Sequence, residues 1–181
     1  MQFINKFSIL CFLLFTLTAC GFHLRGHSPI PPELSVLYLQ TDSPYSAFSK
    51  QLKQYLIASK VNLVESAEDA PITLKVISAK SSQALTSSGA NGQTNTYNLA
   101  YTVTYQLLNN NGVAIQTPQT VVSTRDYSVT SNQLLSDTNV QSSLVDQMQR
   151  EAIYQMITRM RAPNTLKTIK QAQTYNYANS L

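Results

Sequence analysis

Alternation along the chain is sharpest between Tyr97 and Leu108. There Tyr97, Leu99, Tyr101, Val103, Tyr105 and Leu107 take every second position, and Asn98, Ala100, Thr102, Thr104, Gln106 and Leu108 fill the places between. A period of two marks a half-buried strand, so this segment is predicted to carry one aromatic and aliphatic face and one mostly polar face. Asn109-Asn110-Asn111-Gly112 follows with residues that accept positive φ, which turns the chain back into Val113 to Ile115 and then Thr120 to Val129. Two weaker strand patterns precede it. Val36-Leu37-Tyr38-Leu39-Gln40 is β-prone and nearly continuous in apolar character, as in a buried strand, and Ile72, Leu74 and Val76 alternate in the segment from Ile72 to Ala79. Ser81 to Thr96 is rich in Ser, Gly, Asn, Gln and Thr and is expected to form a long polar turn between strands.

Helical periodicity appears twice. From Tyr45 to Ser59, Phe48, Leu52, Tyr55 and Leu56 fall on one face, with Ser43 as N-cap and Pro44 as the first helical residue. From about Ser136 or Asn139 to Arg161, Leu144, Val145, Met148, Ala152, Ile153, Met156, Ile157 and Met160 make a continuous apolar stripe that stops at Pro163. A methionine-rich stripe of this kind belongs to a core rather than to a ligand surface. Val61 to Glu65 reads as a short extension, and residues 163–181 as a polar tail without periodicity, expected to be disordered. Strand, helix and strand at the start form a βαβ unit. The order β, α, β, β, β, α then packs as two helices on one face of a four-stranded mixed sheet, a two-layer α+β sandwich whose strand order the sequence leaves open.

The first residues do not belong to that fold. Phe7 to Leu17 is apolar apart from Ser8 and Thr16 and follows Lys6, as in a secretory signal. It is short of the roughly 20 apolar residues that a bilayer span needs. Leu17-Thr18-Ala19-Cys20 resembles the bacterial lipobox, in which the thiol is acylated and the chain is cut before the cysteine. Residues 1–19 are therefore expected to be a lipoprotein signal peptide and Cys20 the lipidation site. Cys11 leaves with the leader, so Cys20 has no disulfide partner and, once acylated, needs none. Gly21, where an Asp is absent, suits a lipoprotein of the outer membrane reached through the periplasm. Residues 20–33, with Pro29, Pro31 and Pro32, are read as an extended tether, and residues 34–162 as the folded domain.

Composition narrows the chemistry. Of 181 residues only 12% are charged, with a formal net charge of +4, against roughly a quarter charged in an ordinary soluble protein. Such a surface suits the inside of a partner better than free solution. No basic stripe offers itself to nucleic acid. Enzyme chemistry lacks its parts: His23 and His27 both sit on the tether, and Glu65, Glu68 and Asp69 cluster in a connection. Asp126 beside Arg125 makes a surface ion pair, and no glycine-rich phosphate loop is present. Neither a metal site, a cofactor site nor a catalytic set can be assembled.

Cys20-Gly21-Phe22-His23-Leu24-Arg25-Gly26 resembles the mature start of the lipopolysaccharide-assembly lipoprotein family, LptE. The passage Asn91-Gly92-Gln93-Thr94-Asn95-Thr96-Tyr97-Asn98-Leu99 is similar to that family's turn and strand, and the amphipathic helix ending near Pro163 also fits. The resemblance implies a non-enzymatic lipoprotein, held to the membrane through its acyl chains. It would plug and help assemble the outer-membrane β-barrel of the lipopolysaccharide translocon and support lipopolysaccharide insertion into the outer leaflet. Asn91, Gly92, Gln93 and Thr94 are then the candidate barrel contacts, and Lys75, Lys80 and Arg125 the candidate cations for lipopolysaccharide. The alternative is a stand-alone, periplasm-facing structural or ligand-binding lipoprotein.

Overall fold

The computed structural model describes residues 30–89, 93–130 and 134–179. Cys20, His23, His27, Asn91 and Gly92 lie outside the described residues. A 3-10 turn at Pro32–Leu34 leads into β1 (Val36–Thr41), α1 (Ala47–Ala58), β2 (Asn62–Val64), β3 (Ile72–Ser88), β4 (Thr94–Asn109), β5 (Gln119–Thr130), α2 (Leu134–Met160) and α3 (Pro163–Asn179). The class is α+β with a mixed sheet, as expected, but the sheet has five strands in the order β2-β1-β3-β4-β5 rather than four. The added strand is β2, the segment read as a short extension. Three residues are too few to show a period, and parallel pairing with β1 (Val36 opposite Asn62) is what orders them. β1 also pairs in parallel with β3, while β3, β4 and β5 form an antiparallel meander.

Three further expectations are corrected. Ser81 to Thr96 is not a long turn: β3 continues to Ser88 and β4 begins at Thr94, so the two strands pair out to Ser88 opposite Asn95. The pairing absorbs two bulges, at Ile77 and Thr86, where the register shifts. Of the tail expected to be disordered, residues 163–181, the described part, Pro163–Asn179, is helix. Pro163 ends α2 by opening a new helix, as proline does at a first helical position, and α3 puts Ile169 into the core and joins Lys170 to Glu33 of the 3-10 turn at 2.8 Å. Finally, α1 is capped by Ser46, whose side chain accepts from Ser49 N, and starts at Ala47 rather than at Pro44.

The core lies on one side of the sheet. Leu99, Tyr101, Val103, Tyr105 and Leu107 of β4 are buried as the alternation requires, joined by Leu74 and Val76 of β3 and Val121 of β5. Against them pack Phe48, Leu52 and Leu56 of α1 and Met148, Ala152, Ile153, Met156, Ile157 and Met160 of α2. The Phe48 and Tyr101 rings meet at 5.8 Å. Each such side chain contributes about 1.5–3 kcal/mol by leaving water, so this single apolar layer supplies most of what holds helices to sheet. Gln149 bridges the helices, accepting from Gln51 Nε2 at 3.1 Å and hydrogen-bonding the Tyr101 hydroxyl. Burial pushes the Tyr101 phenol up to about 12 despite that bond.

Candidate functional site

The side of the sheet away from the helices is open. Cross-strand partners share a face in an antiparallel pair, so the register that buries Val103 sends Thr102, Thr104 and Gln106 outward on β4. Lys75, Ser78, Lys80 and Ser82 of β3 join them on this face, as do Thr120, Val122 and Thr124 of β5. Hydroxyls and amides pair across it. The Thr104 and Thr120 hydroxyls are 3.1 Å apart, those of Thr96 and Ser128 3.0 Å, and Asn98 Nδ2 donates to Asp126 Oδ1 at 2.6 Å. No Asp, Glu, Lys, Arg or His occurs from Ser81 to Thr124, a span that takes in the outer half of β3, all of β4 and half of β5.

Past the buried core β3 and β4 run on as an exposed hairpin, with β5 beside β4 as far as Thr130. Every residue from 81 to 89 is exposed. Side chains brace it. Thr86 Oγ1 donates to Thr96 O at 3.0 Å, Ser88 Oγ to Asn95 Oδ1 at 2.9 Å, and Gln83 Nε2 to the Tyr127 hydroxyl at 3.0 Å, while Gln141 of α2 donates to Gln83 at 2.9 Å. The Tyr97 and Tyr127 rings stack at 5.6 Å, beside exposed Leu85. Of the four candidate barrel contacts, Gln93 is exposed at the hairpin end and Thr94 opens β4 opposite Thr130.

The three candidate cations are not brought together. Lys75 and Lys80 stand on the open face opposite Gln106 and Thr102, whereas Arg125 pairs with Leu99 and so lies on the helix face. Its guanidinium donates to Glu151 Oε2 of α2 at 2.6 Å and to Thr124 O at 2.8 Å. The expected ion pair between Arg125 and Asp126 is thus replaced, because adjacent residues of a strand point to opposite faces. Ser123 Oγ also donates to Glu151 Oε2 at 2.8 Å, and together with Arg125 it holds the Glu151 carboxyl below the usual carboxylate range.

A cleft of about 310 Å³ opens where β1 ends and α1 begins, lined among others by Asp42, Ser46, Phe48, Lys80, Tyr101 and Gln149. Its opposed charges and mixed lining select no ligand class. Among the described residues there is no group of three His, Cys, Asp or Glu side chains placed to hold a metal, and no helix long and apolar enough to cross a membrane. Sequence reasoning missed the coupling of Glu151 to Ser123 and Arg125. The missing signal was the register of β5 against α2, which no local pattern encodes.

Comparisons with known proteins give the fold and the family. The chain resembles a lipoprotein B of Nitrosomonas europaea (TM-score 0.66, 22% identity, 78% of this chain and 91% of that one). It also resembles the rare lipoprotein B of Shewanella oneidensis (TM-score 0.61, 22% identity, 69% and 92%). Identities this low speak for the fold alone. In sequence it is 36% identical over 91 residues to the LPS-assembly lipoprotein LptE of Yersinia enterocolitica, covering 49% of this chain and 44% of that one. It is 32% identical over 105 residues to that of Pectobacterium atrosepticum, covering 56% of each. The chain thus spans about half the length of the curated relatives it matches. The profile of the family described as LptE, lipopolysaccharide-assembly, matches residues 34–160, from the 3-10 turn to the end of α2. By that match the chain belongs to the LptE lipopolysaccharide-assembly family.

Proposed function

We propose that this chain serves lipopolysaccharide assembly at the outer membrane, without catalysis, as a lipoprotein anchored through Cys20 that plugs and helps assemble the translocon barrel. Membership of the LptE family supports the broad role. The observation that carries the plug is the absence of charge from Ser81 to Thr124, along part of the open face and the exposed hairpin. A protein facing bulk water keeps such surface charged. A protein enclosed by the polar wall of a barrel lumen gains from amides and hydroxyls, which bond to the wall without the cost of stripping water from ions.

In this reading Asn91, Gly92, Gln93 and Thr94 meet the barrel, the last two from the start of β4. Lys75 and Lys80, on the open face, are the cations offered to lipopolysaccharide phosphates. Arg125 contributes at most from the other side of the sheet, with its guanidinium already shared between Glu151 and Thr124.

Two measurements test the proposal. Intact-mass analysis of the mature chain is expected to give an acylated species beginning at Cys20, and an unmodified chain with another start removes the anchor. Purification from detergent-solubilised outer membrane is expected to recover a much larger β-barrel protein in fixed ratio. Recovery of the chain alone overturns the plug in favour of a stand-alone lipoprotein.

A further inference from the structure

β5 is an edge strand, and its outward backbone groups are partly occupied. The close hydroxyl contacts of Thr104 with Thr120 and of Thr96 with Ser128 mark the non-hydrogen-bonded pairs of the β4–β5 ladder. Thr120, Val122 and Thr124 therefore direct their N–H and C=O groups away from β4, to the free edge of the sheet. Two guanidinium groups reach that edge from the helix face. Arg159, near the end of α2, donates to the Thr120 carbonyl at 2.6 Å, and Arg125 donates to the Thr124 carbonyl at 2.8 Å while Glu151 holds its other end. The capped carbonyls lie symmetrically about Val122.

That symmetry identifies what the caps exclude. When an edge strand pairs with its own copy in antiparallel register about Val122, Val122 meets Val122 and Thr120 of each copy meets Thr124 of the other. The acceptors such a pairing needs, apart from the central pair, are the two carbonyls that the arginines hold. The stretch Gln119-Thr120-Val121-Val122-Ser123-Thr124 is uncharged and rich in β-branched residues, the composition that pairs edge to edge when nothing prevents it. We propose that Arg125 and Arg159 are edge guards, which cap the β5 edge against pairing with a second copy of this chain. A guanidinium serves this purpose because it carries several donors and a charge that a second strand would have to displace from the carbonyl. The inference is independent of the plug, since it concerns the chain by itself.

The test uses the full chain in detergent, with Arg125→Met and Arg159→Met combined, so that the aliphatic stems stay in place. Mass is read by light scattering with the detergent contribution subtracted, and folding by circular dichroism. The guarded protein is expected to be monomeric and the double variant to double its protein mass at the same concentration. Adding Val122→Pro removes an outward N–H without touching a bond to β4 and is expected to restore the monomer. A folded double variant that stays monomeric overturns the proposal, and so does a dimer that survives Val122→Pro. Should the double variant not fold, Arg159→Met alone, which leaves the Arg125–Glu151 pair intact, decides by the same two readings, with a partial rise in mass expected.

Discussion

The two faces of β4 are written in alternate residues of one strand, yet they meet different surroundings and follow different rules. On the helix face, Leu99, Tyr101, Val103, Tyr105 and Leu107 are almost wholly buried, so size and apolarity there are set by what α1 and α2 leave room for. On the open face, Thr102, Thr104 and Gln106 are half-buried by their strand neighbours alone. No packing demand dictates them, nor the lack of charge from Ser81 to Thr124 on a face that carries Lys75, Lys80 and Asp126 on either side of that stretch. Composition on the covered face therefore reports folding. On the open face it is free of that demand.

The largest separation of the faces is expected from Val103→Asp against Thr102→Asp. The first buries an unpaired carboxylate and costs several kcal/mol, enough to abolish cooperative unfolding in a marginal domain. The second is expected to stay within about 0.5–1 kcal/mol. Equal losses in thermal melts followed by circular dichroism would break the distinction. Next in size is Met156→Ala, which empties a fully buried position under β4 and is expected to cost about 2–5 kcal/mol in denaturant unfolding.

A pH pair sharpens the comparison further. Burial raises the Tyr101 phenol from the ordinary value of 10.0 to about 12 in the folded state. Its contribution is therefore present below pH 10 and is lost as pH rises through about 12; burial raises the Tyr105 phenol as well, so an absorbance titration should show these two phenols ionising late, as the protein unfolds. Glu151 is lowered from 4.5 by Ser123 first and then by Arg125. Its contribution is present above that value and lost as pH falls through the depressed one, so Glu151→Gln is expected to flatten the acid side of the melting profile slightly. The smallest effect on stability belongs to Thr104→Arg on the open face, expected to leave the melting temperature nearly unchanged while lowering recovery of the barrel. Unchanged recovery would place the contact elsewhere.

The covered face was the legible one. The alternation from Tyr97 to Leu107 and the stripe from Leu144 to Met160 both arise from burial, and burial leaves a period in the sequence. The outer half of β3 is exposed on both faces, so Ser81 to Ser88 shows no period and resembles a turn although it is strand for its whole length. α3 escaped notice for a related reason: Leu166 and Ile169 are its anchors in the core, too few to stand out in a polar segment. Pairing Arg125 with its neighbour Asp126 is the error that local reading invites, because its partner Glu151 comes from another element brought alongside by the fold. The candidate contacts at Gln93 and Thr94 rested on resemblance and composition, since an exposed strand end carries no period that could mark a partner.

The position of α2 after the sheet sets the order in which the protein can become stable. β3, β4 and β5 are joined by short connections and can zip as hairpins while the chain is still lengthening. Their apolar side has no cover except α1 until Met148 to Met160 follow. From the appearance of β4 to the arrival of that helix, Leu99 to Leu107 is a sticky stripe on an otherwise soluble meander. That stripe is where a holding chaperone has the most to shield, and a chain cut short before α2 is expected to be cleared by proteases rather than to persist as a smaller domain.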